Sequence, residues 1–239
     1  MAASRFRLLR HGFGVCSEWL MHPRPARMAP MDIVRSLNVL PAIARLSRTR
    51  MNSRVGLALD TAVACALLYV GIWRHDDYPI TAPLIILSGL LLFSFIEYGF
   101  HRWLFHGSAQ GILEQGHRRH HQNPVGYDSL PFFLPPLGIL GLAALFATIL
   151  PAAFALLLAG GLAAGYALYG LSHYAIHGVR FSSPPARRWA ANHHIHHHHP
   201  DKNFGVTTPL WDIVLKTRYG SKKAGGKRSD REMTHTSIG

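Results

Sequence analysis

Seventeen histidines occur in 239 residues, and most fall in four short runs whose spacing suits metal ligation. The first run is HRWLFH, with His101 and His106, and the second is HRRHH, with His117, His120 and His121. The third is HYAIH, with His173 and His177, and the fourth lies within HHIHHHH, residues 193–199. An α-helix turns by about 100° per residue, so side chains at i, i+3 and i+4 share one face. HxxHH therefore aims three imidazoles one way, and HxxxH aims two. His101 and His106, five apart, diverge by about 140° on an ideal helix, so they are expected to serve different metals or to straddle a helix end. Imidazole suits borderline transition metals, iron and zinc among them. One such pair alone reads as a solvated polar patch. Even ten imidazoles drawn from the four clusters exceed the four-coordinate need of a single structural zinc, and two metals are indicated.

Two metals with few carboxylates imply redox or hydrolytic chemistry rather than a structural clip. A zinc peptidase would carry HExxH with its glutamate as general base, and that string is absent. No GxSxG elbow or phosphate-cradling loop occurs either. Cys16 and Cys65 are the only cysteines, which excludes a disulfide framework and a thiolate metal site. Oxidative chemistry is the better fit.

The elements that must position these histidines are apolar. Hydrophobic residues make up 49% of the chain and charged residues only 15%, a membrane-protein profile within a length that suits one domain. Four blocks stand out, at about Val55 to Trp73, Ile80 to Phe100, Phe132 to Leu150 and Ala152 to Tyr169. Each reads as a membrane-spanning helix, so the expected fold is all-α and integral to the membrane, with about four transmembrane helices. RHDDYP separates the first pair, and Pro151 alone separates the second, a helical hairpin with a tight tip. Gly160, Gly161 and Gly165 offer small surfaces for close helix packing. Asp60 sits toward one end of its block, where an interfacial position lowers its cost.

The formal charge of +13 is concentrated at the two ends. Ten arginines precede residue 55 and eleven basic residues follow residue 179, the pattern of a cytoplasmic face rather than of nucleic-acid binding. Four spans then bring both termini and every histidine cluster to the cytoplasmic side. Residues 1–53 form an Arg-rich tail broken by prolines, in which no apolar h-region follows the charges, so a secretory signal is not expected. A cytoplasmic tail, a transit-like peptide and an upstream start site are the readings it leaves. Residues 54–219 form the histidine-rich membrane domain, and 220–239 a disordered basic tail without apolar periodicity.

At these residues the sequence resembles the fatty acid hydroxylase superfamily, which also contains sterol desaturases. The resemblance covers about residues 93 to 219 and rests on EYGFHRWLFH, GHRRHHQNP with a later PFFLPP, GYALYGLSHYAIH and HHIHHHHPDKNFGVTTPLWD, in that order. It implies a four-helix membrane anchor capped on its cytoplasmic side by a histidine-rich helical domain with a non-haem diiron centre. Zinc is a possible substitute in purified samples, dioxygen is the co-substrate, and no organic cofactor is expected. Carried over residue by residue, the ligands are His101, His106, His117, His120, His121, His173, His177, His193, His196 and His197. The last run also reads HxxHH as His194, His197 and His198. The earlier register is preferred because it leaves residues 198–203 before Phe204 and Gly205, the family's usual interval.

Asp212, Asp128 and Glu97 are candidates to orient the imidazoles through their free N–H groups. Tyr98, Trp211 and Phe204 are candidates to line an acyl entrance. The expected reaction is hydroxylation of a membrane lipid, a fatty acyl chain first. A sterol, carotenoid or aminolipid headgroup oxidase or desaturase shares the same site, and a metal-binding protein without catalysis is a further alternative. Electrons must come from outside the chain, from a ferredoxin or a small haem protein steered to the basic face.

Overall fold

The computed structural model describes residues 39–75, 80–108 and 111–220. The expectations for the N-terminal tail up to residue 38 and for the C-terminal tail from 221 lie outside the described residues. The chain divides after Leu40 into two units, and the second, from Pro41 onward, carries every site residue discussed below. The described residues are helical, with no strand among them: α1 (Val39–Leu46), α2 (Arg50–Trp73), α3 (Thr81–Gly99), a π-helical turn (Phe100–Phe105), α4 (Ile112–Gln122), α5 (Leu134–Phe146), α6 (Ala152–Gly178), α7 (Pro184–His198) and α8 (Leu210–Val214).

Among the described residues, three helices are long and apolar enough to cross a membrane: α2, α3 with its π-helical extension to Phe105, and α6. The third apolar block of the sequence is shorter than its composition suggests. α5 has 13 residues, about 20 Å of helix against a hydrocarbon core of about 30 Å. Pro135 and Pro136 sit at its start, where a missing N–H does no harm. After Phe146 the chain leaves the helix through a turn to Leu150, and Pro151 is the N-cap of α6.

α6 is the central helix and packs against α2, α3 and α5. Its small residues make this possible. Gly161 meets the backbone of α3 at Ile86 and Gly89, while Gly160 receives the Leu68 side chain from α2. Leu157, Ala159, Leu162 and Ala163 are buried between them. Leu84, Leu87 and Leu91 of α3 share the opposite, exposed face. That apolar stripe suits contact with lipid tails.

The start of α2 is tied to the segment after α4. Thr49 caps α2 by accepting from the Asn52 N–H at 3.1 Å. The buried Asn52 amide donates to Ser129 Oγ and to the Leu130 carbonyl, both at 2.9 Å, and accepts from the Phe132 N–H at 2.9 Å. These bonds anchor the chain that leaves the second histidine run.

Candidate metal centre

His101 and His106 lie at the end of α3, where the helix widens by one residue per turn. The His106 N–H donates to the His101 carbonyl at 3.2 Å, the i→i+5 bond of a π-helix. The wider turn brings the two imidazoles together, with ring centroids 5.4 Å apart. The divergence expected of an ideal α-helix does not occur. α4 supplies His117, His120 and His121, the end of α6 supplies His173 and His177, and α7 supplies His193, His196 and His197.

The ten rings sort into two sets. In the first, ligating atoms of His101, His106, His117, His121 and His196 lie within 4.8 Å of one another, and the same holds in the second for His120, His173, His177 and His193. His197 joins the second set, with its Nε2 atom 3.2 Å from that of His120 and 3.1 Å from that of His193. Adjacent residues therefore part company: His120 and His121 point into different sets. His194 and His198 are exposed, and His199 stacks on Tyr219.

His101 Nδ1 faces the Phe204 carbonyl at 2.5 Å, and His196 Nδ1 faces the Lys202 carbonyl at 2.8 Å. A carbonyl only accepts, so both Nδ1 atoms carry the proton and both Nε2 atoms present a lone pair. His117 Nε2 lies 3.1 Å from His101 Nε2 and 2.9 Å from those of His106 and His121. One nitrogen carries at most one proton, so these contacts cannot all be hydrogen bonds. Converging lone pairs call for a cation. With metal–nitrogen bonds of about 2.1 Å, ligands at right angles sit about 3.0 Å apart and tetrahedral ones about 3.4 Å. The observed 2.9–3.2 Å edges fit a site of more than four ligands.

The electrostatics agree with that fit. Burial, reinforced by neighbouring imidazoles, lowers His106 to about 4 and His120 to about 2. Burial also lowers His196 to about 3, against the raising effect of its bond to the Lys202 carbonyl. His193 is held well below the ordinary range for the same first reason, burial. At neutral pH these rings are neutral, the state that ligates metal.

The carboxylates act one step away. Asp212, fully buried, accepts from the Phe204 and Gly205 N–H groups, each at 2.8 Å, and from the Thr217 hydroxyl at 2.7 Å. Glu97 accepts from the Val206 N–H at 2.6 Å, the Thr207 N–H at 3.0 Å and the Thr207 hydroxyl. Together they clamp residues 204–207, whose Phe204 carbonyl receives His101. Asp128 instead accepts from Arg119 at 3.0 Å and lies 4.0 Å from Arg48.

Tyr98 is fully buried rather than set at an entrance, and its hydroxyl meets Thr217 and Arg102. Trp211 donates to Ser94 of α3 and packs edge-on against Phe95. Thr217 and the Lys202 carbonyl were missed from sequence. The asparagine before Phe-Gly is a usable signal for this loop. Asn203 adopts φ 54, a left-handed conformation that asparagine tolerates, and its side chain bonds the Asn192 carbonyl and the Tyr219 N–H.

A family model described as fatty acid hydroxylase matches residues 86–217, more than half of the chain and all ten of these histidines. The chain belongs to this family. The fatty acid hydroxylase chain is 30% identical over 180 residues to a dihydroceramide fatty acyl 2-hydroxylase of Arabidopsis thaliana, covering 69% of this chain and 73% of the relative. It is 34% identical over 163 residues to a fatty acid 2-hydroxylase of Rattus norvegicus, covering 59% of this chain and 42% of that longer protein. Among solved structures it is similar to the hydroxylase domain visible in full-length Scs7p, with a TM-score of 0.63 and 25% identity over 74% of this chain and 69% of that one. Hydroxylases are oxidoreductases, and this family member is one.

Proposed function

We propose that this protein hydroxylates a fatty acyl chain of a membrane lipid, at carbon 2 of an N-acylated sphingolipid such as a dihydroceramide. The observation that carries the reading is the pair of imidazole sets at the ends of α3 and α6, five rings in the first and four in the second, which His197 joins through His120 and His193. The plant and mammalian relatives, which their names describe as 2-hydroxylases, supply the position and the lipid class.

His101, His106, His117, His121 and His196 would hold one iron, and His120, His173, His177, His193 and His197 the other. When bound, the iron pair supplies the dioxygen chemistry that replaces an unactivated C–H bond by C–OH. The chain's part is to keep ten imidazoles neutral and aimed. The Phe204 and Lys202 carbonyls fix the His101 and His196 tautomers, and Glu97 and Asp212 hold the loop that presents Phe204. The sets lie where two membrane-length helices end, so an acyl chain reaches them from the bilayer without crossing water. Zinc would occupy the same nitrogens without supporting the reaction.

The metal site and both termini are assigned to the cytoplasmic side by the positive-inside rule, with residues 54–219 as the catalytic domain between two basic tails. Exposed Arg180, Arg187, Arg188, Lys216 and Arg218 provide a basic surface for an acidic electron donor, a ferredoxin or a cytochrome-type haem protein. The test compares lipids of cells expressing wild type or a His120→Ala, His121→Ala variant at matched levels, with donor and iron supplied. A wild-type-specific lipid heavier by one oxygen atom is expected. Identical lipid profiles would refute the proposal, and a product lighter by two hydrogens would replace hydroxylation by desaturation.

A further inference from the structure

The geometry points to Tyr98, Arg102 and Thr217 as positioning residues for the first iron, on the reading that each imidazole set holds one ion. Their polar atoms form a directed chain. Arg102 Nη1 donates to the Tyr98 hydroxyl at 2.9 Å. Thr217 donates its single hydroxyl proton to Asp212 Oδ1 at 2.7 Å, because a carboxylate already receiving two backbone N–H groups accepts there too. Tyr98, 3.0 Å from Thr217 Oγ1, must then be the donor of that pair. Asp212 Oδ1 also receives the Phe204 N–H, and the Phe204 carbonyl receives His101 Nδ1.

The chain thus leaves the π-helical turn at Arg102 and returns to it at His101, the adjacent residue. Every proton along it is assigned, and His101 Nδ1 carries its own because the Phe204 carbonyl only accepts, which leaves a lone pair on Nε2. Tyr98, Asp212 and Thr217 are buried, so water cannot replace a missing member without rearrangement. The Tyr98 ring also packs edge-on against Phe204, with centroids 5.8 Å apart, and the Arg102 guanidinium lies 6.0 Å from the Phe204 ring. No link of this chain reaches the second set, whose His193 Nδ1 and His197 Nδ1 have no hydrogen-bond partner. The consequence is selective: breaking the chain weakens one ion and spares the other.

The test loads full-length protein in detergent with ferrous iron under anaerobic conditions and counts retained iron per chain during chelator competition. Tyr98→Phe and Thr217→Val each remove one hydroxyl while keeping side-chain shape, and Thr217→Ser restores it. Thr217→Ser should hold both ions with the affinities of wild type. Tyr98→Phe and Thr217→Val should hold one ion as wild type does and the other about 10–100-fold more weakly. Two ions held at wild-type affinity in both variants would overturn the assignment. Parallel loss of both ions would overturn it too, because general destabilisation does not discriminate between the sets. A wild type that binds fewer than two ions would refute the dimetal reading itself, an outcome distinct from either.

Discussion

Gly161→Ala is expected to damage both stability and activity, through a contact deep in the membrane-length helices rather than at the histidines. A Cβ at Gly161 would lie 2.5 Å from the Ile86 carbonyl oxygen and 3.0 Å from Gly89 Cα, and one at Gly89 would lie 2.5 Å from the Leu158 carbonyl oxygen. Ordinary contact begins at 3.4 Å, so about 0.9 Å must be found. A helical carbonyl cannot rotate away as a flexible side chain can, so α3 and α6 must separate. Overpacking of this kind costs roughly 1–3 kcal/mol. The same separation moves His101, on the extension of α3, away from His173 and His177 on α6. A misplacement of about 1 Å at a reacting centre costs on the order of 100-fold in rate. Gly138→Ala is the control, because a Cβ there meets nothing within 4 Å, and alanine gains up to about 1 kcal/mol in helix propensity. The assay is thermal unfolding in detergent together with hydroxylated lipid formed per folded molecule. If Gly161→Ala unfolds and turns over like Gly138→Ala, the close approach does not set the histidine geometry.

Other consequences follow from the site. His120→Ala and His121→Ala each remove one ligand from a different set, so each should retain one tightly held iron of two and lose product formation. Iron counting with a lipid assay decides this. Glu97→Gln replaces an acceptor oxygen by an NH2 donor where Glu97 accepts three hydrogen bonds from Val206 and Thr207, and should lower stability by about 1–3 kcal/mol, read as an earlier thermal transition. The metal-free protein should be most stable above the ordinary histidine value of 6.5, and lose stability as pH falls toward about 4 for His106 and about 3 for His196. The sign follows because the unfolded chain binds those protons first. A melting series from pH 8 to 4.5 that stayed flat would contradict the buried, neutral histidines.

The histidine spacing made most of the site legible, since HxxHH and HxxxH need only the helical period to define a face. The division into two sets was not legible. His120 and His121 differ by one residue, and which set each enters depends on how α4 meets α6 and α7. The pairing of His101 with His106 escaped for another reason. FHRWLF carries no local mark of a π-helical turn, and the i→i+5 geometry becomes visible only with His101 held by the distant Phe204 carbonyl. Hydropathy found α2, α3 and α6, but overestimated the third block, where apolar residues continue through a turn that composition does not register. Glu97 and Asp212 were recognisable as acids near ligands, yet they act on backbone N–H groups of a loop rather than on imidazoles, a route that only the folded chain reveals.

If the histidine sets hold iron and support hydroxylation of an acyl chain, the inserted oxygen comes from dioxygen and not from water. Iron-loaded, donor-reduced protein incubated with an N-acyl sphingolipid under ¹⁸O₂ in ordinary water tests it most directly, with the product analysed by mass spectrometry. A 2-hydroxylated acyl chain carrying ¹⁸O is expected, and none from protein loaded with zinc. Product oxygen drawn from water, or equal turnover by the zinc form, would contradict it.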